Sequence, residues 1–143
     1  VPFYGQGMNC AFEDCAIFAE CLDEHGDDWE TVFSAYEKAR KADADAIADL
    51  ALNNFIEMRD SVADPVFLMK KKLELRLEEA FPGRFISTYG MVTFHRVPYA
   101  RALNQGALQE KVLMDICRNA TSLESIDLNS TLEQVERYLA EHI

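Results

Sequence analysis

Val1-Pro2-Phe3-Tyr4-Gly5-Gln6-Gly7-Met8-Asn9-Cys10-Ala11-Phe12-Glu13-Asp14-Cys15 opens the chain, with two glycines two residues apart directly before a helical repeat. From Met8 onward, Met8, Ala11, Phe12, Cys15, Ala19 and Leu22 recur near the helical period, which predicts a helix with that stripe inward and Gly26 as its stop. Asp27 and Glu30 have the spacing of a capping box for a second helix, with Trp29, Val32, Phe33 and Tyr36 on its buried face. A polar stretch, 37–45, joins it to a third stripe of Ile47, Leu50, Ala51, Asn54 and Met58. Asp64-Pro65 is an N-cap followed by proline at the first helical position, and Val66, Met69, Leu73, Leu77 and Phe81 continue as the next stripe until Pro82-Gly83 ends it. Residues 84–96 are crowded with β-branched and aromatic side chains, so an extended segment is expected there. Leu103, Ala107, Leu108, Val112 and Ile116 return to the helical period after Pro98, and Ser130-x-x-Glu133 caps a last helix with Leu132, Val135, Tyr138 and Leu139.

The chain has 143 residues, one ordinary domain's worth, enough to bury roughly two-thirds of its unfolded surface without a metal or disulfide scaffold. Its 14 Lys+Arg against 25 Asp+Glu leave a net charge of −11, which argues against a broad nucleic-acid face. Charged residues interrupt every apolar run before it reaches the roughly 18 residues of a membrane span, and the first residues lack the basic start and apolar run of a signal peptide. Cys10, Cys15, Cys21 and Cys117 form no CxxC pair and read as reduced, buried thiols, with no metal role.

Glycines at 5 and 7 permit positive φ and close approach of a ligand to the backbone, and the free amides of the helix start favour an anionic or electron-rich group. A tight loop before a capped helix would read the same way. Asn54 falls on an apolar stripe, where a buried amide needs partners: either a neighbouring backbone or a ligand. His95 has no nucleophile or carboxylate partner and is read as a surface histidine. Residues 23–28 lack the alternating oxygens of a calcium loop, and Lys70, Lys71 and Lys72 read as an exposed face balanced by glutamates.

The opening string as a whole resembles the C-terminal flavin-binding motif of the aromatic hydroxylases related to para-hydroxybenzoate hydroxylase. Pro2-Phe3-x-Gly5-Gln6-Gly7-Met8-Asn9, Asn54-Phe55-Ile56-Glu57-Met58-Arg59 and Tyr89-x-Met91-Val92-Thr93-Phe94 are similar, in order and spacing, to blocks of the kynurenine-hydroxylating branch of that family. The likeness runs from residue 1 to about 102, and more loosely beyond. It implies a mainly α chain with a short extended segment, the C-terminal portion of an α+β FAD-dependent hydroxylase. The N-terminal βαβ dinucleotide-binding unit has no counterpart in this sequence. Residues 1–26 would then end the FAD-binding domain, and 27–143 would form a C-terminal helical region covering the substrate.

The resemblance further implies FAD and NADPH as cofactors, both requiring the N-terminal part, with Gly5, Gln6, Gly7, Met8 and Asn9 at the flavin. Phe3, Tyr4, Asn54, Met58 and Tyr89 would meet the substrate, L-kynurenine: Asn54 at its amino-acid end, Tyr89 as a donor to its carboxylate, and Pro2, Phe3 and Met58 as an apolar wall. Oxygen would be delivered through a flavin C4a-hydroperoxide, which requires exclusion of water. No residue of this chain is expected to be a catalytic acid or base. The expected partner is the remainder of the same flavoprotein, with no nucleic acid and no membrane, in the cytoplasm, and this piece alone is expected to be inactive. Two other readings stay open: a sister hydroxylase with another aromatic substrate, and a non-catalytic acidic helical interaction module.

Overall fold

The computed structural model describes residues 4–143, so Val1, Pro2 and Phe3 lie outside the described residues. Among those described there are six α-helices. α1 (Gly7–His25) ends at Gly26, whose φ of 60° only glycine adopts without strain and whose N–H donates to the Leu22 carbonyl at 2.8 Å. α2 (Trp29–Ile56) begins one residue later than the capping box predicts: Asp28, not Asp27, accepts from the Thr31 N–H at 3.3 Å and the Thr31 hydroxyl at 2.7 Å. It runs unbroken through 37–45 and closes in a π-helical turn, Glu57–Ser61. α3 (Pro65–Ala80) starts as expected, with the Asp64 carboxylate accepting from the Val66 N–H at 2.9 Å.

The segment 84–96 corrects its expectation. Thr88–Phe94 is a short helix, α4, and only the flanking residues are extended, with a single bridge between Pro82 and Phe85. Burial overrides propensity here: Gly90, Met91 and Val92 are enclosed, and Ser87 caps the first turn by accepting from the Gly90 N–H at 3.1 Å. α5 (Tyr99–Asn119) follows. Its buried face is Tyr99, Ala102, Gly106, Gln109, Leu113 and Cys117, one residue round from the stripe the sequence suggests. A 3₁₀ turn (Leu123–Ser125) leads to α6 (Leu128–His142), capped by Asp127 rather than Ser130 through a 2.6 Å bond from the Ser130 N–H.

α5 is the axis of the fold, packing against α2, α3, α4 and α6. One apolar cluster joins Leu73, Leu77, Phe85, Leu113, Cys117, Leu132 and Val135; a second joins Ala46, Leu50, Met91, Val92, Tyr99 and Ala102. Each fully buried leucine contributes about 1.5–3 kcal/mol of transfer energy.

α1 packs on α2 with a different face from the one expected. Cys21 is its buried residue, while Met8, Ala11, Phe12, Cys15 and Ala19 are exposed, as are Trp29 and Phe33 on α2. Cys15 is therefore not a buried thiol. The α1–α2 seam is held instead by Phe18, which stacks on Phe33 and meets Tyr36 edge-on, and by Arg40.

Candidate functional site

The helix start at α1 is built as the glycine spacing suggests. Gly5 has φ 67°, and nothing lies within 4 Å of a Cβ placed at Gly5 or Gly7. Gln6 is the N-cap residue but its side chain does not cap; its buried Oε1 accepts from Asn9 Nδ2 at 2.6 Å and from the Tyr99 hydroxyl at 3.5 Å. Those contacts leave the first-turn amides without a side-chain partner and anchor the loop to α5. Beside them is a groove of about 440 Å³ walled by Ile47, Ala48, Ala51 and Leu52 of α2 together with Tyr4, Gly5, Gln6 and Gly7.

Tyr4 also lines a second, smaller cavity of about 70 Å³, where Asn54 and Tyr89 meet it. Tyr4 and Tyr89 stack with ring centroids 5.9 Å apart, and Phe94 abuts Tyr89 edge-on at 6.0 Å. Burial, reinforced by Glu57, pushes the Tyr4 hydroxyl above its ordinary range, so it stays a neutral donor at physiological pH. The placement of Tyr89 is itself supported. Glu78 accepts from the Ser87 N–H at 2.7 Å at the head of α4, and Gly106 of α5 leaves room for Thr88.

Lys70 departs from the exposed face expected of 70–72, whereas Lys71 and Lys72 are exposed. Lys70 is 1% exposed, in contact with Glu110 at 3.1 Å and Glu74 at 3.6 Å. Lys71 pairs with Glu57 at 3.3 Å and Glu74 at 3.6 Å, and both lysines sit over the Phe67 ring. A signal is present in the sequence: Phe67 and Lys70 share helical spacing with Leu73 and Leu77 of the expected stripe, each one residue on from its Val66 and Met69. Burial of Lys71 would lower its pKa, but Glu74 and Glu57 outweigh it and hold the ammonium above the usual lysine range.

Burial likewise pushes the Glu74 carboxyl up, against the pull of Lys71 and Lys70. The folded state thus keeps a proton that the unfolded chain has released, so stability falls as pH rises from the ordinary carboxylate range through the raised value. Denaturant titrations of the intact protein across that window should show this slope, and Glu74→Gln should flatten it.

Of the residues expected at the substrate, Tyr4, Asn54 and Tyr89 come together in one cavity. Met58 does not: it lies in the π-helical turn, 55% exposed, and is absent from the cavity lining. Phe3 and Pro2 lie outside the described residues. Gly5, Gln6 and Gly7 line the adjacent groove, while Met8 and Asn9 are exposed on the first turn of α1. His95 is exposed. A larger groove of about 720 Å³ between α5 and α6 contains none of the expected residues.

An uncapped glycine-flanked helix start therefore stands beside a cavity edged by two tyrosines and an asparagine, on a mainly α-helical frame. No family model matches the chain. It is 46% identical to a kynurenine 3-monooxygenase of Myxococcus xanthus over 139 residues, covering 97% of this chain and 30% of that protein. Similar matches are the kynurenine 3-monooxygenases of Flavobacterium psychrophilum, at 45% over 95% of this chain, and Stenotrophomonas maltophilia, at 48% over 97%, each again over 30% of the relative. The chain belongs to the kynurenine 3-monooxygenase family, and spans about 30% of the length of the curated relatives it matches, as a C-terminal part. Among the described residues, no helix is long and apolar enough to cross a membrane.

Proposed function

We propose that the protein containing this chain hydroxylates L-kynurenine to 3-hydroxykynurenine with FAD, NADPH and oxygen, and that this region forms one wall of its reaction compartment. The observation that carries the reading is Tyr4, whose side chain is shared between the groove at the glycine loop and the polar cavity of Asn54 and Tyr89. A flat ring against the groove and an amino acid in the cavity would be neighbours across it.

The residues present fit a flavin. Gly5 and Gly7 leave the backbone approachable, the first-turn amides are uncapped, and the groove wall is apolar. Gly5, Gln6, Gly7, Met8 and Asn9 would hold its edge, the main-chain N–H groups opposing negative charge there. When bound, FAD reduced by NADPH supplies the activated oxygen for ring hydroxylation. This chain's own part is to bind, orient and exclude water: Asn54 and Tyr89 hold the amino-acid end of the substrate, while Tyr4, Ile47 and Ala51 keep the compartment apolar at its boundary. In this reading residues 1–26 complete the FAD-binding domain and 27–143 cover the substrate. The exposed apolar residues of α1, with Met8 69% and Phe12 66% accessible, are the surface that the remainder of the flavoprotein covers. Four free cysteines fit a reducing, cytoplasmic setting.

The test is NADPH oxidation by the full-length flavoprotein with and without L-kynurenine. Stimulation by kynurenine is expected; stimulation by a different aromatic acid instead would assign a sister hydroxylase. In the same protein Tyr89→Phe should weaken kynurenine binding roughly 10- to 150-fold, the scale of one hydrogen bond to a charged group, with flavin content unchanged. Unchanged affinity removes Tyr89 from the substrate contact.

A further inference from the structure

Tyr89 belongs to the first turn of α4, a helix of seven residues that is too short to persist without tertiary support. Its two halves are held differently. Met91 and Val92, in the second half, are buried among Ala46, Leu50, Tyr99 and Ala102. Tyr89 is 52% exposed and Phe94, the ring against it, is 75% exposed, while an open groove of about 350 Å³ bordered by Glu78, Gly83 and His95 lies beside them. Thr88 against Gly106 fixes how closely the first turn approaches α5, but that one contact leaves the rotation of the turn open. Glu78 closes this freedom. It follows Leu77, which is fully buried in the other apolar cluster, so its backbone is anchored on α3. Its Oε1 accepts from the Ser87 N–H at 2.7 Å and stands where a Cβ on residue 90 would come within 2.9 Å of it. Ser87 in turn accepts from the Gly90 N–H at 3.1 Å. One carboxylate oxygen thus lies against the two residues that bracket Thr88 and Tyr89. Glu74, one turn earlier on α3, is committed to two lysines; Glu78 makes no ion pair among the described residues, and its carboxylate is given to the main chain.

We infer that Glu78 is a positioning residue for the substrate: it holds the first turn of α4 so that the Tyr89 hydroxyl reaches the amino-acid end that Asn54 also meets. This rests on the proposed function. Glu78 does not line the cavity of Tyr4, Asn54 and Tyr89, so its effect on the substrate passes through Tyr89. Without the carboxylate, the Ser87 N–H loses its acceptor, and the turn is free to rotate into the open groove beside it. The second half of α4 stays seated on Met91 and Val92, so the loss is confined to the tyrosine and spares the core. An acceptor oxygen is all that this role needs; the negative charge is incidental to it.

The experiment titrates L-kynurenine into the oxidised, flavin-loaded full-length enzyme and follows the flavin absorbance. Glu78→Ala should weaken binding roughly tenfold, the low end of the loss expected for Tyr89→Phe, because a displaced hydroxyl keeps part of its bond. The maximal rate of kynurenine-stimulated NADPH oxidation should change much less. Glu78→Gln keeps the acceptor oxygen and should recover most of the affinity. In a Tyr89→Phe background Glu78→Ala should add almost nothing, since both act through one hydroxyl, whereas independent sites add. Gly90→Ala is a second approach: its Cβ displaces the tip of the Glu78 side chain and should weaken binding in the same direction, so the inference is scored even if Glu78→Ala loses its flavin. Unchanged affinity in either variant, a Glu78→Gln protein as poor as Glu78→Ala, or full additivity with Tyr89→Phe overturns the role of Glu78. An unsubstituted enzyme that does not bind kynurenine overturns the substrate assignment and this inference together, whereas one that binds it and tolerates Glu78→Ala overturns this inference alone.

Discussion

Replacing Arg40 with methionine is expected to loosen α1 by about 2–3 kcal/mol and to cost the intact protein part of its flavin. Arg40 is the buried ion of the α1–α2 seam, its side chain 5% exposed. Its Nε donates to Asp14 at 2.7 Å, Nη1 to Glu13 at 3.3 Å, and Nη2 contacts the Cys10 sulfur at 3.6 Å. Losing one partner of a buried pair costs about 3–5 kcal/mol when the other charge stays desolvated. Here Asp14 and Glu13 are 41% and 50% exposed and rehydrate, so the lower figure applies. Methionine keeps some of the packing but none of the bonds. Hydrogen exchange in the intact protein should show α1 amides losing roughly 30- to 100-fold of protection while α6 is unaffected, because such openings are local. Equal protection in both helices would show that Arg40 does not secure the glycine loop.

Gly106→Ala should cost about 2 kcal/mol and most of the kynurenine affinity, although alanine is the better helix former. An added Cβ would stand 2.2 Å from Thr88 Oγ1, 2.9 Å from its Cγ2 and 3.1 Å from its Cβ. Thr88 is β-branched and cannot swing both branches away, so α4 must shift. Overpacking of this kind costs about 1–3 kcal/mol or more, against a gain of roughly 1 kcal/mol in helix propensity. The shift moves Tyr89, the next residue, out of the cavity it shares with Tyr4 and Asn54. Thr88→Ala in the same chain removes the two closest contacts and should recover most of the binding. A Gly106→Ala protein with full stability and affinity would mean that α4 is not held by this contact.

Local chemistry was legible in the sequence where it acts alone. Asp64-Pro65, Gly26 and Pro82-Gly83 end or begin helices where backbone rules require. Tyr4, Asn54 and Tyr89, far apart in the chain and grouped only by the family resemblance, line one cavity. What could not be read depends on partners in space. Arg40 lies in a polar run and is buried because α1 brings Asp14 and Glu13 to it. Asp43, in that same run, accepts from the Ala100 N–H at 2.8 Å and caps α5 across the fold. α4 consists of residues that favour strands, and it is helical because Ser87, Glu78 and Gly106 hold it so. The stripe of Met8 and Phe12 was periodic as expected, but periodicity says that a face is apolar, not what covers it.

The most direct measurement is a crystal structure of the intact polypeptide with FAD and L-kynurenine bound. The isoalloxazine edge should lie against the main-chain nitrogens at Gly7, Met8 and Asn9, with the substrate's amino-acid end between Asn54 and Tyr89. A flavin bound away from that helix start, or kynurenine seated without either side chain, would contradict the account.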